Sequence, residues 1–341
     1  MKKFVVTGAG GYIGSVLVTS LLESGHEVLA VDRFFFGIKP IEQHLNNPKF
    51  KILKKDIRDL TKSDLKGYEV VCDLASLSND PAGELNPELT YQINRDGRIH
   101  VAKISKDAGV EKYILSSSCS VYGKGKEEVP LKETSPTEPI SVYAKSTLQA
   151  EAEILPMASN DFSVTAFRNA TVFGLSTRMR FDLVVNLMTL SAVQKNKIII
   201  MGGGEQWRPL IHVKDVAGAF IQAGIGESKI INSQLINIGL SSFKIKNLAY
   251  IVREVLPFEV IVEIAPDDPD KRDYNVDFEK YRNLLGISPQ FSIEQGVSEI
   301  YQALKNGSVD TGPRTNTVIW YKNIIDAKNL IDEIELNGRI I

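Results

Sequence analysis

The chain has 341 residues, of which 43% are hydrophobic, and its 40 basic side chains nearly balance 42 acidic ones. That is enough for one large domain with a buried core and a smaller one beside it. A near-neutral charge with no basic tract speaks against nucleic-acid or anionic-membrane binding, and no apolar run approaches the ~20 residues that span a bilayer.

The N-terminal "MKKFVVTGAGG" leads directly into a strand and a glycine turn, without the apolar core and cleavage site of a secretory signal. Six runs then read as strands: "KFVVTG" (3–8), "EVLAVD" (27–32), "FKIL" (50–53), "VVCDLA" (70–75), "KYILSSS" (112–118) and "SVTAFR" (163–168). They are apolar on both faces, as a covered parallel sheet requires. Helical patterns over 14–24, 88–108 and 145–158 lie between several of them, which is the rhythm of a doubly wound α/β sheet. After about residue 174 that rhythm breaks. "DLVVNLMTLSAVQ" reads as a helix, and "KIIIMGGGEQWRPLIHVKDVAGAF" as strand, glycine turn, strand and helix. "KIKNLAYIVREVL" is an amphipathic helix, "EVIVEIA" a strand, and "VSEIYQALKNG" a helix with a glycine stop. Over 317–336, Trp320, Ile324, Ala327, Ile331 and Ile334 recur at threes and fours, which predicts a last amphipathic helix packing on its own subunit or on a neighbour. Cys72 and Cys119 sit in apolar segments and read as buried thiols of a reducing compartment. Histidines at 26, 44, 100 and 212 have no metal-site spacing. A metal-free cytoplasmic protein is expected.

The first chemistry-bearing motif is "VVTGAGGYIGSVL", with Gly8, Gly11 and Gly14 after a strand and at the start of a helix. The first glycine permits the tight turn, the next lets backbone approach a pyrophosphate, and the last lets helix and strand pack closely. The N–H groups and dipole of the helix start then hold the phosphates. Asp32 ends the second strand, 18 residues after Gly14, placed to accept the hydroxyls of an adenine ribose. It favours NAD, because it would repel a 2′-phosphate; Arg33 beside it leaves NADP open.

With these motifs the chain resembles the extended short-chain dehydrogenase/reductase family, in the branch acting on nucleotide sugars. The resemblance runs to about residue 305. It rests further on "DIRD", "DLASLSND", "YQINRDGR", "SSSCSVYG" followed by Tyr143, "RNATVFG", "GGGEQWRPLIHVKD" and "DPDKRDYNVDFEKYRNLLGISP". It implies a Rossmann-type sheet over 1–174, with segments of about 209–240 returning to it, and a smaller mixed α/β substrate domain over 175–208 and 241–310, followed by a helical tail over 311–341. It implies a cofactor site of Gly8, Gly11, Tyr12, Ile13, Gly14, Asp32, Arg33, Asp56, Ile57, Leu74, Ala75, Ser76, Asn94 and Arg168. It assigns the substrate Ser78, Ser118, Thr171, Arg208 and Arg272, the two arginines meeting the sugar-nucleotide diphosphate. Planar guanidiniums suit a diphosphate because they bind it bidentately. The implied activity is an NAD-dependent oxidoreductase or epimerase acting at a hydroxyl, C4, of a nucleotide-linked sugar in carbohydrate biosynthesis, as a homodimer or higher homo-oligomer.

Three departures from the family pattern bear on the chemistry. The family's tyrosine takes a sugar-hydroxyl proton, assisted by a lysine four residues later on the same helix face. Here Tyr143 is followed at that place by Thr147. Lys145 lies two residues on, about 200° around the helix, and points elsewhere. Glu151 stands eight after Tyr143, where the family favours a glutamate, so the frame is right and the lysine is absent. Tyr143, Ser118 and Thr147 remain the catalytic candidates, Thr147 as a partner for a ribose hydroxyl. Second, 4,6-dehydratases carry an Asp–Glu pair directly after the catalytic Ser or Thr; Cys119 and Ser120 occupy those places and disfavour dehydration. Third, Thr171 replaces a substrate-binding asparagine. Net 4-oxidation or 4-keto reduction, and a dinucleotide sensor that lost the reaction, are the alternatives.

Overall fold

The computed structural model describes residues 1–125, 129–266 and 272–340. The late signature quoted from residue 268 therefore begins outside the described residues. Twelve strands are formed among those described: β1 Lys3–Thr7, β2 Glu27–Asp32, β3 Phe50–Lys54, β4 Val70–Asp73, β5 Lys112–Ser118, β6 Ser163–Asn169, β7 Thr171–Phe173, β8 Lys197–Met201, β9 Trp207–His212, β10 Gln234–Ile238, β11 Ser241–Lys244 and β12 Ile261–Ala265.

Seven of them make one sheet in the order β10-β6-β5-β4-β1-β2-β3, every pairing parallel. The order reverses between β1 and β4, the topological switch point where open α/β sheets bind ligands beyond their strand ends. Alternation on β1 shows why both faces are covered. Phe4 and Val6 join one core with Leu17, Val18 and Leu21 of the helix Tyr12–Glu23, while Val5 joins a second core with Val101 and Ala102 of the helix Arg98–Ala108. Burial on both sides is what the unbroken apolar runs require.

The predicted strands are found with small shifts at their ends. The helical pattern over 88–108 is not one α-helix: it is Pro87–Tyr91, a π-helical segment Gln92–Gly97, and Arg98–Ala108. The π-helical segment places Asn94 inward, as described below; such bulges gather at functional sites. Of the stretch expected to return to the first sheet, β10 does so, beside β6, and the helix Val213–Ile225 packs on Tyr12–Glu23. β9 does not. It lies between β11, antiparallel, and β7, parallel, in a separate three-stranded sheet, while β8 and β12 pair with each other. A third core gathers Val185, Met188, Ile198, Leu248 and Val252 in this smaller part. The last helix spans Thr317–Ile334. No described helix is long and apolar enough to cross a membrane.

Candidate active site

A cavity of about 800 Å³ runs along the strand ends and is walled by both parts of the chain. Its first wall is the glycine turn. The helix Tyr12–Glu23 starts at Gly11 with no side-chain cap, so its first N–H groups are left for an anion. A Cβ on Gly14 would stand 2.1 Å from the Gly8 carbonyl oxygen, and Gly8 itself has φ +68° with the backbone of Leu74 and Ala75 only 2.9 Å from a Cβ position. Only glycine fits either place. Asp32 reaches back to this turn, accepting from the Gly10 N–H at 2.9 Å and the Phe34 N–H at 2.5 Å. Burial pushes its carboxyl above the usual carboxylate range, against these backbone bonds.

Arg33 is committed elsewhere. It pairs with Asp56 at 3.0 Å and stacks 4.6 Å from the Phe35 ring centre. Asp56 also takes Arg58 at 2.8 Å, and that bonded guanidinium pulls its carboxyl down to about 2. Asp56 and Ile57 line the cavity. Leu74, Ala75 and Ser76 line it next, held by Thr7, whose Oγ1 accepts from Leu74 and Ala75 N–H at 3.1 Å each. Among the described residues the buried Ser76 hydroxyl has no partner, an open bond for a ligand. The turn, the acid and this open bond fit a dinucleotide.

Tyr143 enters from the helix Val142–Ile154 and Ser118 from the end of β5; both line the cavity. Burial raises the Tyr143 phenol above its ordinary value; the Ser118 hydroxyl opposes that, Asp80 adds to it, and the positive charges of Arg98 and Arg180 oppose it. Ser118 itself accepts from the Ser120 hydroxyl at 2.9 Å. Lys145 is exposed. Thr147 is buried and does not line the cavity, and its hydroxyl has no partner among the described residues. Its short side chain ends inside the helix packing, where a lysine would extend further.

Two residues expected at the cofactor stand behind the wall. Asn94, fully buried, accepts from the Leu77 N–H at 2.8 Å and donates to the Leu77 carbonyl at 3.2 Å. It holds the loop that carries Ser76 and Ser78 and does not line the cavity itself. Arg168 is likewise off the cavity. It pairs with Glu151 at 2.7 Å, with both side chains almost wholly buried, and stacks 4.9 Å from the Tyr122 ring centre. Its charge is spent on a carboxylate inside the sheet–helix packing, so Arg168, expected at the cofactor, stands with Asn94 behind the cavity wall and does not line it. Cys119 is buried, donating to the Arg168 carbonyl at 3.2 Å, and burial pushes its thiol far up.

At the other end Arg208, from β9, and Arg272 line the cavity together with Thr171 and Ser78. Arg208 donates to the carbonyls of Trp207, at 2.8 Å, and of Arg272. Arg272 bonds Asp80, which also accepts from the Ser141 hydroxyl at the start of the Tyr143 helix. One acidic side chain thus ties the guanidinium of the small part to the start of the Tyr143 helix.

The structure adds residues the sequence reading passed over. Arg178, Arg180 and Asp182, from "STRMRFD", line the cavity. Arg180 pairs with Asp182 at 2.9 Å and donates to the Ser78 hydroxyl at 3.3 Å. Tyr321 of the last helix also lines it. Two arginines and an aspartate in five residues, directly after "RNATVFG", were the available signal; Tyr321 carried none beyond a helical face.

Comparison with known proteins accords with this geometry. The model of the NAD dependent epimerase/dehydratase family matches residues 4–239. The chain is 28% identical over 316 residues to UDP-glucuronic acid decarboxylase 1 of Arabidopsis thaliana, covering 89% of this chain and 70% of that protein. It is 29% identical over 323 residues to UDP-glucose 4-epimerase of Mycolicibacterium smegmatis, covering 89% of this chain and 99% of that protein. The solved UDP-N-acetylglucosamine 4-epimerase of Methanobrevibacter ruminantium, in complex with UDP-N-acetylmuramic acid, superposes with a TM-score of 0.80 at 27% identity, covering 90% of this chain and 99% of that one.

Proposed function

Because the chain belongs to the NAD dependent epimerase/dehydratase family, we propose that it inverts C4 of a nucleotide-linked sugar. When bound, NAD supplies a hydride acceptor for the first half of such a reaction and a donor for the second. Tyr143 takes the proton of the C4 hydroxyl and returns one when the carbonyl is reduced on its other face, with Ser118 orienting the oxygen. Arg208 and Arg272 hold the diphosphate and leave the sugar free to turn. The observation that carries this reading is one cavity lined by Tyr143 and Ser118 on one wall and by both arginines further along. No carboxylate stands at the two positions after Ser118, so neither acid nor base is provided there for elimination of water.

Arg180 favours a second reading. It is buried beside Ser78, and its charge acts on Tyr143. A sugar with a carboxylate at C5 would find a guanidinium there, and oxidation at C4 would make it a β-keto acid that loses carbon dioxide. The purified protein with NAD should be given UDP-glucose, UDP-N-acetylglucosamine and UDP-glucuronic acid separately, and the products resolved by proton NMR. A C4 epimer supports inversion, and a UDP-pentose supports decarboxylation. A stable 4-keto sugar with stoichiometric NADH would replace both with net oxidation, and a 4-keto-6-deoxy sugar would contradict the account.

A further inference from the structure

The cavity holds a second buried guanidinium that neither the sugar nor Tyr143 explains. Arg178 is only 5% exposed. Its guanidinium carbon lies 3.6 Å from the Phe36 ring centre, and Nη2 donates to the Thr317 hydroxyl at 3.0 Å. Among the described residues its buried Nε has no acceptor, and no carboxylate oxygen comes within 4.0 Å of the guanidinium; the neighbouring Asp182 pairs with Arg180 instead. Burial, with Arg180 nearby, lowers its pKa to about 10, so it stays charged at neutral pH. A desolvated cation with an orphan donor on a cavity wall is costly unless an anion completes it.

The surroundings identify that anion. Ser176, two residues before, donates to the Tyr12 carbonyl at 2.8 Å and lies 3.0 Å from the Ser15 hydroxyl. The segment carrying Arg178 therefore packs on the first turn of the helix that follows the glycine turn. Phe36, under the guanidinium, belongs to the loop that follows Asp32. Arg178 thus stands between the phosphate cradle and the ribose acid, where a dinucleotide carries its pyrophosphate.

The tail holds the arginine in place. Besides the Thr317 bond, the Phe181 N–H donates to the Thr315 carbonyl at 2.9 Å, and Trp320 Nε1 donates to the Phe35 carbonyl at 2.6 Å. The Tyr321 ring sits 5.5 Å from that of Phe36 and 6.1 Å from that of Phe35. All these tail residues lie beyond residue 239, where the family model stops.

We propose that Arg178 binds the pyrophosphate of NAD and that the tail residues Thr317, Trp320 and Tyr321 fasten it there, making the C-terminal helix part of the cofactor site. This rests on the chain's binding of NAD and not on which sugar reaction it performs.

The test uses the full chain, stripped of cofactor, with no sugar present, so that an error in the proposed reaction cannot affect it. Affinities for NADH, ADP-ribose and adenosine are measured by calorimetry for wild type, Arg178→Met and Arg178→Lys. Methionine keeps an apolar stem on Phe36, and lysine keeps the charge without the fork. Arg178→Met should weaken NADH and ADP-ribose about ten- to hundredfold, as the loss of a charge-assisted phosphate contact does, and leave adenosine unchanged. Arg178→Lys should fall between, and it carries the test should the methionine variant fail to fold. Wild-type affinity for NADH in either variant would overturn the proposal. So would an equal loss for adenosine, which would show that Arg178 only supports the Phe36 loop.

Discussion

A phenol drawn into the protein gives up its proton near neutral pH only with positive charge close by, and the half-buried Tyr143 has little of its own. Burial dominates its environment and holds it protonated, while Ser118, Arg98 and Arg180 only offset that in part. Arg180 is itself half spent on Asp182, and Thr147 brings no charge. The phenolate fraction below such a raised value grows about tenfold per pH unit, so proton removal should accelerate as pH rises above ~7. Thr147→Lys places a cation on the same helix face and favours the charged phenolate, moving the rise to lower pH. The check is a pH profile of single-turnover sugar oxidation for both proteins, with NADH affinity confirming that the variant is folded. An unmoved profile would mean that the site already holds the charge Tyr143 needs. At this scale the residues picked out by local motifs, Tyr143, Ser118, Arg208 and Arg272, all line the one cavity. It was misleading about Arg168, since nothing in "SVTAFRNATVFG" shows that Glu151, one helix earlier, claims that guanidinium.

Among the elements, the tail helix is the one whose role changes most between sequence and structure. Its apolar spacing was legible, but spacing does not say which turns dock. The first turns do, through Trp320 on the Phe35 carbonyl and Tyr321 on the Phe35 and Phe36 rings. The far half does not: Leu330 is 56% and Ile334 49% exposed. The helical spacing left packing on the same subunit or on a neighbour open, and an exposed apolar half leaves room for a second copy to cover it. If one does, removing residues 323–341, which keeps the docked turns, should lower the mass read by light scattering after gel filtration. An unchanged mass would show that no second copy sits there. The broken helix before residue 98 shows the opposite limit. Its apolar pattern is continuous, and the π-helical segment within it is set by Asn94 bonding to Leu77, a tertiary contact.

For the whole molecule, the doubly wound sheet could be read because both-face burial leaves unbroken apolar runs and the glycine turn marks its first crossover. The cavity could not. It draws together the turn after β1, the end of β5, the start of the Tyr143 helix, β9, Arg272 and the last helix, pieces joined only by packing. The small part was harder for the same reason, since β9 follows its partner β7 by more than thirty residues and its pairing is parallel. On the proposed reading, one phenol manages one sugar proton while the cofactor is held apart from it, by the glycine turn and Arg178. The most direct measurement is rapid mixing of NAD-loaded protein with the sugar nucleotide that the product survey identifies, following the absorbance of reduced nicotinamide in wild type and Tyr143→Phe. The wild type should form bound NADH, and Tyr143→Phe should do so about 100- to 10,000-fold more slowly, the usual worth of a positioned acid–base group, while binding NADH as tightly as before. Tyr143→Phe reducing its cofactor at the wild-type rate would contradict this reading.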